Sequence, residues 1–283
     1  MRVRPWASVV QVPTADGVVW FKACQPQQAF EARLTAELSK RWPDRVADVV
    51  GVEPVRGWLL TRDAGRSIGS LGNPPEMWAR ILPRYAELQM GERAFVDDHL
   101  AHGVLDLRVA GLPARYADLL RRELPLTADE FTVLRDFEPR FGELCGEVAA
   151  ESPGDTIQHD DLHVNGVWIK GDEMRVMDWG DASIGHPFFS LYVTFRFLEM
   201  EEYGNLAPGN PWLARIRDAY LEPWGGAALV PAFERALRLA AFAHVIAWLR
   251  HRDPMSPAAQ ADFDVEYAVV LRRALKRIPE PGS

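Results

Sequence analysis

The hydrophobic pattern of this chain changes its period near residue 62, and this change limits the folds that the chain can adopt. Before that point, four segments are typical of β-strands, at residues 9–13, 18–23, 46–52 and 55–60. The dipeptide Asp16-Gly17 predicts a hairpin turn between the first two segments. One helix is predicted among the strands, because apolar residues recur every four positions at Phe30, Leu34, Leu38 and Trp42. The first 62 residues should therefore form a small antiparallel sheet with one helix.

Beyond residue 75 the pattern is mainly helical. Residues 127–130 match a capping box, and Ser256-Pro257 matches a helix start with proline at the first helical position. One predicted β-hairpin interrupts this region, with strands at 167–170 and 174–177 and a turn at Gly171-Asp172. The chain has 283 residues, nearly twice the usual size of a single domain. We therefore expect two unequal lobes, residues 1–62 and 63–283, with a connector at about 61–66.

Composition excludes several classes of protein. Hydrophobic residues make up 48% of the chain and charged residues 25%, which is typical of a folded globular protein and not of a disordered one. The two cysteines, Cys24 and Cys145, lie too far apart in sequence to indicate a disulfide framework or a zinc site. A net charge of −8 disfavours nucleic acids and anionic membranes as partners. We expect a cytoplasmic monomer or homodimer with no membrane-spanning segment.

A lysine and a glutamate form the first candidate pair. Lys22 lies between Phe21 and Ala23 in a predicted strand, so its partly buried ammonium needs an anionic partner, either a phosphate or a carboxylate. On the predicted helix, Glu31 lies closer to the inward face than Glu37 and is the better partner. The alternative is an edge-strand lysine with its charge in water and two glutamates on the helix surface.

An acidic cluster surrounds the predicted hairpin. A two-residue turn at Gly171-Asp172 places Asn165 opposite Asp178, where their oxygens suit Mg²⁺ bound together with substrate phosphates. Asp161, four residues before Asn165, could accept a proton from an attacking hydroxyl. The alternative is that the aspartates are turn caps and surface charges. That alternative explains Asp172 better than it explains the other four, Asp160, Asp161, Asp178 and Asp181.

In their order along the chain, these pieces resemble the aminoglycoside phosphotransferase family of small-molecule kinases. The matching pieces are the lysine strand 19–22, the helix start 30–32, the connector near Asp63, the loop 159–163 and Asp178-Trp179-Gly180. The resemblance runs from Val9 to about Leu191. It implies an α+β, two-lobed, protein-kinase-like fold, with a small antiparallel-sheet N-lobe carrying one helix and a larger, mainly helical C-lobe.

The resemblance also implies a role for each candidate residue. Lys22 would hold the α- and β-phosphates of ATP or GTP and pair with Glu31, and Asp161 would be the catalytic base. Asp178 would be the principal Mg²⁺ ligand. The connector would bind the adenine through the backbone of Thr61, Asp63 and Ala64. The implied activity is Mg²⁺-dependent transfer of the γ-phosphate to a hydroxyl of a small molecule, with a cationic antibiotic or an amino sugar as candidate acceptors.

Two departures from the family pattern leave alternatives open. The family's asparagine, five residues after the catalytic aspartate, is replaced here by Gly166, and Asn165 stands one residue early. A three-residue turn would place Gly166 opposite Asp178, and counting back from Asn165 makes Asp160 a lesser candidate for the base. Residues 5–8 also replace the glycine-rich loop expected before Lys22.

These departures keep two other functions under consideration. One is a pseudokinase that binds nucleotide without turnover. The other is a metal-dependent hydrolase using His159, Asp161, His163 and Asp178.

Overall fold

The first part of the chain folds into one antiparallel sheet and one helix, as the sequence predicts. The computed structural model describes residues 2–4, 6–171 and 173–279. Five strands pair in the order β1-β2-β3-β5-β4, and helix α1 packs against β4. Their bounds are Arg2–Arg4 (β1), Ala7–Thr14 (β2), Gly17–Cys24 (β3), Phe30–Arg41 (α1), Val49–Glu53 (β4) and Trp58–Arg62 (β5).

The last two strands of this sheet begin three residues later than predicted. Val46 does not belong to β4, because it forms a parallel bridge to Val176 in the second half of the chain. Residues 54–57 form a turn that ends at Gly57, whose φ of +65° is easily adopted by glycine. Val55 is therefore 87% exposed in the turn and is not part of β5.

A second, three-stranded sheet contains the predicted hairpin. It has the order β10-β9-β6, with β6 at Arg66–Ser67, β9 at Val167–Lys170 and β10 at Glu173–Val176. Lys170 pairs with Glu173, which confirms the predicted register; Asp172 of the predicted turn lies outside the described residues. β10 ends one residue early, although the Met177 amide still donates to the Gly166 carbonyl at 2.8 Å.

The rest of the described chain is mainly helical and contains most of the core. The predicted capping box at Thr127–Glu130 and the predicted helix start at Ser256 are both confirmed. No helix of the described residues is both long and apolar enough to pass through a lipid bilayer. The helices are Pro75–Glu92 (α2), Val96–Ala101 (α3), Leu112–Leu120 (α4), Ala128–Asp136 (α5), Glu138–Ala150 (α6), Leu191–Glu199 (α7), Pro211–Leu221 (α8), Val230–Arg252 (α9) and Pro257–Leu275 (α10).

The prediction of a single β island in this region was wrong. A third sheet joins Leu105–Leu107 (β7), Ser183–Gly185 (β11) and Thr156–Gln158 (β8), with β7 and β11 parallel. Strands β8 and β11 are buried throughout, so their sequences show no alternation of polar and apolar residues. This small sheet fixes the positions of the two loops that carry the acidic cluster, since β8 leads into one and β11 leaves the other.

Candidate active site

Lys22 and Glu31 meet at the boundary between the first sheet and helix α1. Strand β3 is paired on both sides, with Val9 and Leu59 opposite Lys22, so this lysine is not on an edge strand. Its Nζ donates to Glu31 Oε1 at 2.7 Å. Glu31 is 1% exposed, whereas the Glu37 carboxylate lies 3.4 Å from His102. The helix-face argument therefore identified the correct glutamate.

The same lysine also contacts Asp178. Asp178 adopts φ +64°, which turns its side chain out of the hairpin and leaves it 68% exposed. Burial alone would lower the pKa of Lys22, but the two carboxylates outweigh burial and hold that pKa well above its ordinary value. The Lys22 ammonium in turn lowers the pKa of Asp178, while burial raises the pKa of Glu31. Lys22 is therefore a charged lysine held between the carboxylates of Glu31 and Asp178.

Asp161, Asn165 and Asp178 all line one cavity of about 280 Å³. Asp161 Oδ2 lies 3.2 Å from His163 Nε2, and its side chain is 37% exposed. Burial would lower the pKa of His163, but the hydrogen bond to Asp161 outweighs it and raises that pKa. The structure thus brings together Lys22, Glu31, Asp178, Asp161 and Asn165, and the Asp161 carboxylate is partly exposed at the cavity.

Asp160 occupies a different environment from Asp161. It is 5% exposed, it adopts φ +61°, and its Oδ2 accepts a hydrogen bond from Ser183 Oγ at 3.1 Å. The Arg250 guanidinium lies 3.6 Å away. Burial raises the pKa of Asp160 to about 7. Because its carboxyl group is already held by Ser183 and Arg250, Asp160 is less suited than Asp161 to receive a proton from a ligand.

The connector residues do not line this cavity. Thr61 belongs to β5 and is buried opposite Trp20 of β3. Asp63 Oδ1 accepts a hydrogen bond from Trp20 Nε1 at 3.2 Å, and the Asp63 carbonyl accepts one from Lys170 Nζ at 3.3 Å. Ala64 is also buried. Adenine binding by this connector stays a prediction.

The segment before Lys22 is short. β1 ends at Arg4 and β2 begins at Ala7, where a glycine-rich loop is expected; Pro5 lies outside the described residues. Trp6 of this connection lines the cavity, and its ring centroid is 6.0 Å from that of His251 on α9. A bulky aromatic side chain therefore bridges the two halves of the chain at this position.

Three residues near the cavity were not predicted from the sequence. Gln28 Nε2 donates to the Gly180 carbonyl at 3.0 Å and ties the start of α1 to the loop after Asp178. Arg250 donates to the Asp181 carbonyl at 2.9 Å, and His251 Nε2 lies 2.7 Å from Asp181 Oδ1. Both residues lie near the end of a long helix, where basic side chains are common, so the sequence carried no signal for them.

The donor set fits a magnesium ion held jointly with phosphates. Asp178 and Asn165 offer carboxylate and amide oxygens at the cavity, and no sulfur lines it among the described residues. Within the described part of the chain, no group of three or more His, Cys, Asp or Glu side chains has the arrangement of a metal site.

Known structures share this fold at low sequence identity. No family model and no curated protein matches the sequence. An ethanolamine kinase from Plasmodium vivax is 12% identical with a TM-score of 0.66, over 96% of this chain and 84% of its own. The amicoumacin kinase hAmiN, in complex with AMP-PNP, Ca²⁺ and Ami, is 12% identical with a TM-score of 0.63, over 98% and 88%.

A third similar structure is the GDP complex of aminoglycoside 2′-phosphotransferase-IIIa. It is 16% identical with a TM-score of 0.62, over 95% of this chain and 92% of its own. The similarity covers both the sheet and the helical part, which confirms the predicted α+β, two-lobed architecture. The chain therefore has the protein-kinase-like fold found in aminoglycoside phosphotransferases and in choline and ethanolamine kinases.

Proposed function

We propose that this protein is a small-molecule kinase that transfers the γ-phosphate of ATP or GTP to a hydroxyl group of its acceptor. The observation that carries the proposal is the contact of one buried-stem lysine, Lys22, with both Glu31 and Asp178 beside the cavity that Asp161 lines. A lysine held in this way presents a fixed positive charge to phosphate oxygens. The fold shared with known small-molecule kinases supports the proposal.

Each residue then has a defined task. Lys22 binds the α- and β-phosphates, and Glu31 keeps its ammonium in place. Asp161 accepts the proton of the acceptor hydroxyl as that oxygen forms its bond to the γ-phosphorus. The bond between the γ-phosphorus and the bridging oxygen breaks, and the nucleoside diphosphate leaves with those electrons. His163, whose Nε2 lies 3.2 Å from Asp161 Oδ2, keeps the carboxylate oriented.

Asp178 and Asn165 are the residues that would hold Mg²⁺. The ion, when bound, neutralises charge on the phosphates. Asn165 is the proposed ligand, although the family's asparagine stands one residue later. The Met177 amide donates to the Gly166 carbonyl, so the pairing of the hairpin continues toward Asn165 and Asp178. The connector, through Thr61, Asp63 and Ala64, is the proposed adenine site.

The acceptor is a small molecule with a hydroxyl group. The resemblance to aminoglycoside phosphotransferases suggests a cationic antibiotic or an amino sugar. The neighbouring kinases differ in their named substrates, which include an aminoglycoside, amicoumacin and ethanolamine. The acceptor class therefore depends on the cavity of this chain and not on the fold.

Thermal melting with nucleotides tests the proposal. ATP or GTP with Mg²⁺ should raise the Tm of the wild-type protein, because a ligand at 100 times its Kd adds about 2.7 kcal/mol of stability. Asp178→Ala should remove the Mg²⁺-dependent part of that rise, whereas Asp136→Ala on α5 should leave it unchanged. A protein whose Tm responds to no nucleotide, with or without Mg²⁺, would not be a kinase.

A pseudokinase is the second candidate, and one observation favours it. The connection before Lys22 has no glycine-rich loop, and Trp6 stands there instead. Fewer backbone N–H groups are then available to the phosphates. Thermal melting cannot distinguish a pseudokinase from an active kinase, because both bind nucleotide. An assay of phosphoryl transfer can, because a pseudokinase binds Mg²⁺–nucleotide but releases no nucleoside diphosphate with any hydroxyl acceptor.

A further inference from the structure

One side of the cavity takes no part in the proposed phosphoryl transfer. It is formed mainly by side chains of α7, α9 and α10, with one residue from the β1–β2 connection. We call this surface the acceptor wall, and it comprises Trp6, Phe197, His244, Trp248, Phe263 and Glu266.

His244 is the unusual residue of the acceptor wall. It is 4% exposed, and neither ring nitrogen has a hydrogen-bond partner among the described residues. Other buried histidines are bonded: His159 to the Met177 carbonyl, His186 to the Phe188 amide and His251 to Asp181. A buried polar atom without a partner is unfavourable, so two on one ring need an explanation.

The imidazole of His244 is neutral. Burial lowers its pKa to about 3, and the nearby positive charge of Arg196 adds to the effect. A neutral imidazole offers one N–H donor and one nitrogen acceptor, which matches a hydroxyl or an amide better than an ammonium group. Tyr192 and Trp248 pack around the ring, with centroids 5.6 and 5.8 Å away.

Most carboxylates at the cavity already have partners, so few are left to bind a polycation. The four aspartates that line the cavity already have partners: Lys22 for Asp178, His163 for Asp161, Arg250 and Ser183 for Asp160, and His251 for Asp181. Glu266, exposed at the rim, is the one carboxylate of the wall itself.

The size and the surface of the cavity further restrict the class of acceptor that fits. About 280 Å³ lies just below the usual range for ligand pockets of about 300–1,000 Å³, and the transferred phosphoryl group needs part of it. Four aromatic rings, those of Trp6, Phe197, Trp248 and Phe263, supply flat apolar faces. This combination favours a compact ring-shaped or short-chain molecule over an aminoglycoside of several rings.

We propose that His244 is a specificity-determining residue that hydrogen-bonds a second polar group of the acceptor, and that the acceptor is a compact, uncharged hydroxyl compound with an apolar face. This inference rests on the proposed function and names the acceptor class of the same site. Both nitrogens are covered by neighbouring atoms, so a turn of the imidazole ring accompanies binding.

The acceptor class is tested by measuring nucleoside diphosphate release with two sets of probes. The uncharged probes are D-glucose, myo-inositol and 2-phenylethanol, and the charged probes are kanamycin and choline. We expect at least one uncharged probe to show a kcat/KM at least tenfold above that of either charged probe. A higher value for kanamycin or choline overturns the inference and leaves the kinase proposal standing. So does the absence of transfer to every uncharged probe by protein that binds Mg²⁺–nucleotide.

Variants of His244 test its role with the best uncharged probe. His244→Phe keeps a ring and removes the hydrogen bond, and it should raise KM at least tenfold while kcat changes less than twofold. His244→Gln, which keeps a donor and an acceptor, should restore KM to within about threefold of wild type. Tyr192→Phe is the control, because Tyr192 packs on the same ring but does not line the cavity.

The stability of His244→Phe separates recognition from a structural role. Replacement of two unpartnered polar atoms should leave the free energy of unfolding unchanged or raise it. If His244→Phe melts like the wild type and binds the acceptor with an unchanged KM, His244 does not recognise the acceptor. If the protein fails to respond to nucleotide at all, the proposed function fails before this inference is reached.

Discussion

Two neighbouring aspartates, Asp160 and Asp161, differ in almost every physical respect. The first is buried and held by Ser183 and Arg250, and the second opens to the cavity beside His163. Sequence reasoning favoured Asp161 from its spacing and left Asp160 as a lesser alternative. The structure explains why Asp161 is the better candidate. A base must reach its substrate, and the Asp160 carboxyl group is already held by Ser183 and Arg250.

The variant Asp161→Asn tests the base directly. It should bind Mg²⁺–nucleotide with a Kd within about threefold of wild type, because Asp161 has no assigned contact with the nucleotide. Phosphoryl transfer should fall by about 10²–10⁴-fold, the usual contribution of a positioned general base. The measurement is nucleotide binding by calorimetry alongside diphosphate release. Normal transfer by Asp161→Asn would show that another group takes the proton.

Asp160 predicts a pH dependence of stability. Its pKa is about 7 in the folded protein because of burial, against 3.8 for an ordinary aspartate. Between these values the folded state holds a proton that the unfolded state has lost, so raising the pH destabilises the fold. Asp160→Asn mimics the protonated acid and removes this loss, and asparagine tolerates φ +61°.

Urea unfolding at pH 5 and pH 8 measures the effect. We expect Asp160→Asn to gain stability over the wild type on going from pH 5 to pH 8. If the difference in unfolding free energy between the two proteins is the same at both pH values, the titration assigned to Asp160 is wrong.

At the scale of elements, helix α1 is held at both ends. Its first turn carries Glu31 to Lys22, and its last residue, Arg41, donates two hydrogen bonds of 2.7 Å to Glu92 at the end of α2. Trp42 and His99 also bond the same fully buried carboxylate. This arrangement fixes the helix, and hence Glu31, relative to the C-terminal helices.

Removal of Glu92 should therefore be costly. Glu92→Ala leaves the fully buried His99 and the partly buried Arg41 without their common partner, and we expect a loss of about 3–5 kcal/mol in the free energy of unfolding. Glu87→Ala, on the same helix, is the control. Its carboxylate is half exposed and pairs with Arg45, so its loss should cost less than about 1 kcal/mol. Equal losses in urea unfolding would disprove the buried network.

The sequence predicted elements whose signals are local. The Asp16-Gly17 hairpin, the α1 face with Glu31 inward, the register of the 167–176 hairpin and the capping box at Thr127 all depend on neighbours in sequence. The parallel pairing of β7 with β11 was not predictable, because it joins residues almost 80 positions apart in fully buried segments.

Within the site, too, the sequence predicts the residues with a local signal and misses those placed by contacts between distant segments. Lys22 stands out because a charged residue in apolar surroundings needs a partner, and Glu31 because it lies toward the inward face of its helix. Asp161 and Asp178 stand out because they belong to an acidic cluster around the predicted hairpin. His244 and Arg250 lie in a long helix whose apolar and basic pattern is ordinary, and only the packing of α9 against the loops reveals their place.

At the scale of the whole molecule, the candidate site exists only where the two halves of the chain meet. Lys22 comes from the first sheet, Asp178 from the loop after the hairpin, and Gln28 and Trp6 cross from the first half to the second. A ligand that bridges these two parts of the chain must contact residues from both parts at the same time. Nucleotide binding is therefore the property of the whole fold on which the account depends.

The most direct test is calorimetric titration of Mg²⁺–ADP and Mg²⁺–AMP-PNP into the wild type and Lys22→Ala, with Lys40→Ala as the control. Lys40 lies exposed at the end of α1. We expect saturable binding to wild type and Lys40→Ala, and binding to Lys22→Ala that is at least tenfold weaker. Binding that is equal in all three proteins, or absent from the wild type, would contradict this prediction.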